Sequence, residues 1–236
     1  MKYLKVLGII PCYNEESNIK QLINELSAYS DQLDIIIIND CSKDKTSQLC
    51  KEENVNVIDL PCNLGIGGAV QTGYLYAKAK AYDIAVQIDG DGQHDPSYIS
   101  ELISPLVKGE ADFSIGTRFL KREGFQSSGI RRVGIVYFSM LLRMLTKTQV
   151  SDPTSGFRAC NKKIINFFAE NYPTDYPEPE SIMALSRNGY RITEVPVKMR
   201  ERNGGKSSIR AFKSFYYMIK VTIAIVIDST RKKQIN

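Results

Sequence analysis

Apolar runs at residues 4–10, 34–38, 55–60 and 84–88 limit most strongly what this chain can fold into. Each is short and rich in Ile, Val and Leu. Such runs read as strands buried on both faces, the kind found in parallel sheets. After each comes a polar loop and then a helical stretch: 17–28, a segment capped at 42–46, a segment ending near 80, and 97–108. Four strand–helix repeats with short joins predict an α/β fold, a mostly parallel sheet flanked by helices. Further on, the pattern predicts a strand at 112–116 and helices at 130–145 and 161–170. Residues 151–158 read as a turn and 172–180 as a rigid proline-rich loop leading into a helix that ends at 188. An edge strand at 191–197, a basic loop at 200–208 and a final helix at 209–227 complete the chain.

The polar residues that follow the strands should converge on one edge of the sheet, where open α/β sheets bind ligands. Tyr13, Asn14 and Glu15 follow the first strand, Asp40 the second and Asn63 the third. An aromatic face beside carboxylates suits a flat base and its ribose hydroxyls. The fourth strand ends in Asp89-Gly90-Asp91-Gly92-Gln93-His94. Two carboxylates on one tight turn repel unless a cation shares them. Hard oxygen donors on an open loop suit Mg²⁺ or Mn²⁺ held jointly with phosphates, and Gln93 would add a neutral oxygen. The glycines at 65–68, Gly68 included, read as a loop that brings a helix N-terminus to a phosphate. They lack the G-x-G-x-x-G order after the first strand, so NAD is not an expected ligand.

At 236 residues and 43% hydrophobic, the chain has enough apolar material for one domain with a proper core. Its net charge of +5 bears on partners. Arg118, Arg131, Arg132 and Arg143 interrupt apolar segments and read as anion-binding. No nucleic-acid module accompanies them, so nucleic acid is not an expected partner. Five cysteines without paired metal spacing read as reduced thiols of a cytoplasmic protein. No signal peptide is read at the N-terminus, and no apolar run reaches the ~18 residues of a membrane span.

Seven segments in order resemble glycosyltransferase family 2, with the GT-A fold, in its dolichol-phosphate mannosyltransferase-like branch. They are Pro11-Cys12-Tyr13-Asn14-Glu15, Asn39-Asp40-Cys41-Ser42, Asn63-Leu64-Gly65, Asp89-Gly90-Asp91-Gly92-Gln93-His94, Gly116-Thr117-Arg118, Asp152-Pro153-Thr154-Ser155-Gly156-Phe157-Arg158 and Arg202-Asn203-Gly204-Gly205-Lys206-Ser207. The resemblance implies that Pro11, Tyr13, Glu15 and Asp40 hold the base and ribose of a nucleotide sugar, with Asn14, Asn63, Gly68 and Gly90 beside them. It implies a divalent metal on Asp89, Asp91 and Gln93, and an acceptor phosphate gripped by Arg118 and one of Arg131 or Arg132. Arg202 would close over the phosphates, and Asp152 and Ser155 would line the acceptor side.

The expected reaction is an inverting transfer from a nucleotide sugar, UDP-linked rather than GDP-linked, to undecaprenyl or another polyprenyl phosphate in cell-envelope polysaccharide assembly. Asp152 is the candidate base if the acceptor is instead a glycan hydroxyl. A non-catalytic sugar-nucleotide-binding subunit is the alternative outside enzymes. Residues 1–210 are expected to form the catalytic domain. Residues 211–236 are expected to form an amphipathic helix and basic tail for a membrane surface or a partner. Peripheral attachment at the inner face of the cell membrane follows, with a small membrane protein or a second copy of the chain as candidate partners.

Overall fold

The computed structural model describes residues 4–120, 129–201 and 211–231, and of residues 129–131 and 211–217 the backbone alone. Seven strands form one sheet: β1 (Val6–Cys12), β2 (Asp34–Asn39), β3 (Val57–Asp59), β4 (Ile84–Gln87), β5 (Phe113–Thr117), β6 (Arg158–Asn161) and β7 (Ile192–Pro196). Their order is β3-β2-β1-β4-β6-β5-β7. The helices are α1 (Ile19–Ser27), α2 (Thr46–Glu52), α3 (Gly65–Ala79), α4 (Ile99–Val107), α5 (Gly129–Thr146), α6 (Lys162–Asn171), α7 (Pro177–Arg187) and α8 (Ala211–Thr230).

The first four strands are parallel neighbours, with β1 and β4 buried along their whole length and β3, at the edge, only partly buried. Alternate side chains of β1 point to opposite faces. Val6, Ile10 and Cys12 pack with Ile19, Leu22 and Leu26 of α1 and with Leu102 of α4. Leu7 and Ile9 pack with Val70 and Tyr74 of α3, with Phe168 of α6 and with Ile182 of α7. The sheet is therefore covered on both sides, as the strand–helix alternation predicts.

Three local readings change. The turn at 151–158 ends in a strand, β6, which runs antiparallel to both β4 and β5. Arg-Ala-Cys-Asn carries no β-branched residue, so no strand signal was present. The helical stretch after β3 begins at Gly65, so Gly67 and Gly68 lie inside α3 and not in a loop. A Cβ on Gly67 would lie 2.3 Å from the Thr174 carbonyl oxygen, so this glycine serves close packing. The proline-rich loop ends earlier than expected, because Pro177 starts α7, a position where the missing N–H costs nothing. The edge position of β7 is as expected.

α8 packs on α7 and α5, and its Val221 and Ile225 join the same core as α3 and α6. Among the described residues, no helix is long and apolar enough to cross a membrane.

Candidate active site

The carboxyl ends of β1, β2 and β4 open onto a cleft of about 740 Å³, within the usual size range of a ligand site. Its walls include Pro11, Tyr13, Asn14, Glu15, Asp40, Asn63, Asp89, Gly90 and Asp91. All nine were singled out from sequence. Gly68 was too, but it is not among the lining residues; its Cα faces the side chain of Leu64. Gly65 and Ile66, of the glycine-rich stretch read as a phosphate loop, line the cleft too, as do Cys12 and Ala69, which were given no role from sequence.

Backbone contacts between loops shape the wall. Asn14 adopts the left-handed region at φ 57°, which Asn tolerates better than most side chains. Its N–H donates to Ser42 Oγ at 2.9 Å, and its Oδ1 accepts the Lys43 N–H at 2.8 Å. The loops after β1 and β2 are thereby stitched together. Glu15 is buried, accepts from Asn18 Nδ2 at 2.7 Å, and donates its N–H to Thr46 Oγ1. Asp40 is buried and anchors the start of α3. Its two oxygens accept the N–H groups of Leu64 at 2.7 Å and Gly65 at 2.9 Å. A carboxylate at a helix N-terminus is a favourable pairing. Asn63 donates to the Asp40 carbonyl at 3.1 Å. Tyr13, by contrast, is 46% exposed and offers its ring to the cleft. Burial pushes the Cys12 thiol well above its ordinary range, so the cysteine in this wall is not poised as a nucleophile.

The Asp89–Asp91 turn forms the cleft's far corner. A Cβ on Gly90 would lie 2.6 Å from Cys12 Sγ, so the turn approaches β1 more closely than other residues permit. His94 is buried and stacks on Phe157 at 4.8 Å. Its Nδ1 accepts the Asp89 N–H at 3.0 Å. The ring proton is then on Nε2, 3.6 Å from Asp89 Oδ2. The one histidine therefore pins the turn and orients its first carboxylate. Gln93 N–H donates to Asp91 Oδ1 at 3.1 Å, while its side-chain amide reaches the Arg200 carbonyl at 3.3 Å.

No group of three or more His, Cys, Asp or Glu side chains able to hold an ion forms among the described residues. The pair Asp89 and Asp91 nevertheless fits a hard divalent ion of the Mg²⁺ or Mn²⁺ kind. Such ions often take one or two protein carboxylates and complete their shell with phosphate and water. The Asp89 side chain is 36% exposed and faces that open volume.

β6 brings the 152–157 loop against this corner. The Cα of Gly156 sits so close to Asp89 that a Cβ there would lie 2.6 Å from its Oδ2. Asp152 is fully buried and forms a forked pair with Arg118, at 2.7 Å from Nε and 3.0 Å from Nη2. Glu194 of β7 accepts the N–H groups of Ser151 at 2.8 Å and Asp152 at 3.0 Å, which holds that loop in place. Arg158 is buried and ties the loop to α7. It donates to the carbonyls of Ser155, Pro153 and Glu178 and to Ser181 Oγ. Burial raises the Glu178 carboxyl, and nearby Arg158 opposes the shift. Ser155 lies inside the loop, where its Oγ accepts the Phe157 N–H at 3.3 Å. Arg132 is exposed on α5. Arg202 and the side chain of Arg131 lie outside the described residues. Glu194 and Arg158 were not assigned roles from sequence, because nothing local in the chain indicates their distant partners.

Residues 9–168 match the family described as glycosyl transferase family 2. The chain is 30% identical to the UDP-N-acetylglucosamine–dolichyl-phosphate N-acetylglucosaminyltransferase of Methanococcus voltae, over 93% of this chain and 97% of that protein. It is 26% identical to the polyprenol monophosphomannose synthase of Mycolicibacterium smegmatis, over 92% and 85%. In fold it is similar to glucosyl-3-phosphoglycerate synthase from Mycobacterium tuberculosis, solved with Mn²⁺, UDP and phosphoglyceric acid. There the TM-score is 0.73 at 20% identity, over 98% of this chain and 80% of that one.

Proposed function

The chain belongs to glycosyl transferase family 2, and we propose that it transfers a sugar, with inversion, from a nucleotide donor to a polyprenyl phosphate, undecaprenyl phosphate in particular. The donor is UDP-linked rather than GDP-linked. The observation that carries this reading is the forked Arg118–Asp152 pair, in the loop whose Gly156 abuts Asp89. Both Asp152 oxygens are engaged by the Arg118 guanidinium and the side chain is fully buried, so Asp152 orients a cation and is not presented to an acceptor hydroxyl. A hydroxyl acceptor needs a base within hydrogen-bond reach. A phosphate monoester has a second pKa near ~6 and arrives already ionised. The site therefore favours a phosphate acceptor over a glycan hydroxyl.

In this mechanism the Tyr13 ring packs on the base, and Glu15 and Asn14 shape the pocket for the ribose. Asp89 and Asp91 would hold Mg²⁺ or Mn²⁺, which would supply charge neutralisation for the leaving diphosphate. Arg118, held in one orientation by Asp152, draws the acceptor phosphate to the side of the sugar opposite the diphosphate. A phosphate oxygen forms the new bond to C1, and the nucleoside diphosphate departs with the electron pair. Arg202 and one of Arg131 or Arg132 would add charge to the same phosphates.

A lipid-borne acceptor requires a route to the membrane, and α5 and α8 supply a suitable surface. Val133, Val136, Met140 and Met144 form an exposed stripe on α5, and Ile219, Ile223 and Ile227 form one on α8. The two helices touch through Tyr137 and Thr222 at 3.0 Å. Exposed Arg132, Arg143, Lys147 and Lys220 flank the stripes, and α5 carries no acidic residue. Apolar stripes rimmed by cations fit an anionic lipid surface at the inner face of the cell membrane.

The test is transfer of radiolabelled sugar from UDP-glucose, UDP-N-acetylglucosamine or GDP-mannose to undecaprenyl phosphate. The expected product is chloroform-soluble and labile to mild acid, and Asp91→Ala abolishes it. Label appearing only in a water-soluble glycan would refute the acceptor assignment.

A further inference from the structure

Arg200 belongs to none of the motifs that shape the cleft, yet its contacts converge on the Asp89–Asp91 turn. Its N–H donates to the Gln93 carbonyl at 2.9 Å, and its own carbonyl accepts from Gln93 Nε2 at 3.3 Å. The preceding residue, Met199, forms an antiparallel bridge with His94. The guanidinium then spans two carboxylates. Nη1 meets Glu25 of α1, and Nη2 meets Asp95 Oδ1 at 3.0 Å. Asp95 in turn accepts the Ser97 N–H and caps the short 3-10 turn at Pro96–Tyr98. One residue thus fastens α1 to the turn on both sides of its histidine.

The packing beside this fastening is incomplete. Between α1 and the turn lies a hollow lined by Asn18, Gln21, Leu22, Glu25, Asp91 and Gly92. Its volume is about 10 Å³, room for a single water. Asn18 Oδ1 is buried with no hydrogen-bond partner among the described residues. A path Glu25–Arg200–Gln93–Asp91 runs beside this hollow and links Asp91 to α1; its last step is the Gln93 N–H to Asp91 Oδ1.

We infer that Arg200 is a positioning residue for diphosphate binding: by clamping Glu25 and Asp95 it holds Gln93, and through Gln93 the carboxylate of Asp91. The inference rests on the donor-cleft reading above. Its signature is a functional loss out of proportion to any loss of stability. The partly exposed ion pairs of Arg200 contribute little to folding.

The experiment compares Arg200→Ala, Arg200→Lys and, as a matched control, Arg191→Ala, which removes another partly exposed arginine pair, with Asp112, away from the cleft. UDP and GDP are titrated calorimetrically with Mn²⁺ present, kcat and KM are measured with the full chain, and melting is followed alongside. Arg200→Ala is expected to weaken binding of the preferred nucleotide about tenfold with little change in Tm. Arg200→Lys should recover part of the loss, since an ammonium can meet one carboxylate at a time. Arg191→Ala should bind as wild type. Intact binding by Arg200→Ala, or a loss no greater than that of Arg191→Ala, overturns the positioning role alone. Wild-type protein that binds neither nucleotide overturns the donor-cleft reading and the positioning role together.

Discussion

Gly156→Ala is a one-methyl test of whether Asp89 does chemistry from where it sits. The added Cβ would lie 2.6 Å from Asp89 Oδ2, 2.8 Å from Oδ1 and 3.0 Å from Cγ. To regain ordinary contact at 3.4 Å, the carboxylate must retreat by about 0.8 Å. That motion pulls it off the Gln87 amide at 3.4 Å and the His94 ring at 3.6 Å. A misplacement of ~1 Å in a catalytic geometry costs about a hundredfold in rate, or ~2.7 kcal/mol of barrier. Stability should respond differently. Gly156 has no left-handed φ, so alanine fits its backbone, and the loss of unfolded-state entropy favours the variant by ~0.4–1 kcal/mol. The displaced carboxylate also has open cleft to move into. The expected result is kcat down about a hundredfold with ΔG of unfolding within ~1 kcal/mol of wild type. Turnover with the preferred donor and undecaprenyl phosphate in detergent, together with urea melts, would measure both. A variant that keeps more than about a third of wild-type kcat while folding normally would refute the placement of Asp89 at the reacting diphosphate.

Asp152→Asn should lower stability by about 3 kcal/mol, because it leaves the mostly buried Arg118 guanidinium without its counter-charge. Combined with Arg118→Ala, it should show strong non-additivity in kcat, read as a double-mutant cycle. Glu180 sits in the first turn of α7, and burial followed by repulsion from Asp175 and Asp228 pushes its carboxyl up to about 7. The folded state then binds a proton that the unfolded chain releases above ~4.3, so this contribution is fullest below that pH and is lost as pH rises through about 7. Discounted for its partial exposure, the effect is ~1–2 kcal/mol, and Glu180→Gln should flatten it in urea melts between pH 5 and 8.5. Val136→Asp with Met140→Asp should cut co-flotation with phosphatidylglycerol vesicles at least about tenfold while leaving UDP binding unchanged. Undiminished flotation would move the membrane contact elsewhere.

Much of the donor side was legible because it is local. A buried strand announces itself by its Ile and Val, and its end by the first polar residues. In a parallel sheet all those ends fall on one edge, so Tyr13, Asp40, Asn63 and Asp89 had to meet. Their precise duties were less legible. Asp40 was expected, with Pro11, Tyr13 and Glu15, to hold the base and ribose; that both its oxygens also accept backbone N–H groups of the α3 start was not legible. His94 beside the turn was legible as a neighbour of the ligands, while its hold on the Asp89 N–H was not.

The acceptor side depended on contacts between residues far apart in the chain. A four-residue strand without β-branched residues, β6, inserts antiparallel between β4 and β5 and carries Gly156 onto Asp89. Glu194 reaches Ser151 and Asp152 across 43 and 42 residues, and Arg200 reaches Glu25 across 175. Hydrophobic periodicity and turn residues act over a few positions, so the chain alone determined the fold class and the line of residues along the sheet edge. Which carboxylate faces the cleft, which is consumed by an arginine, and which glycine has no room for a methyl were decided by close approach in three dimensions. Those distances follow from packing of the whole core, and no short stretch of sequence contains them.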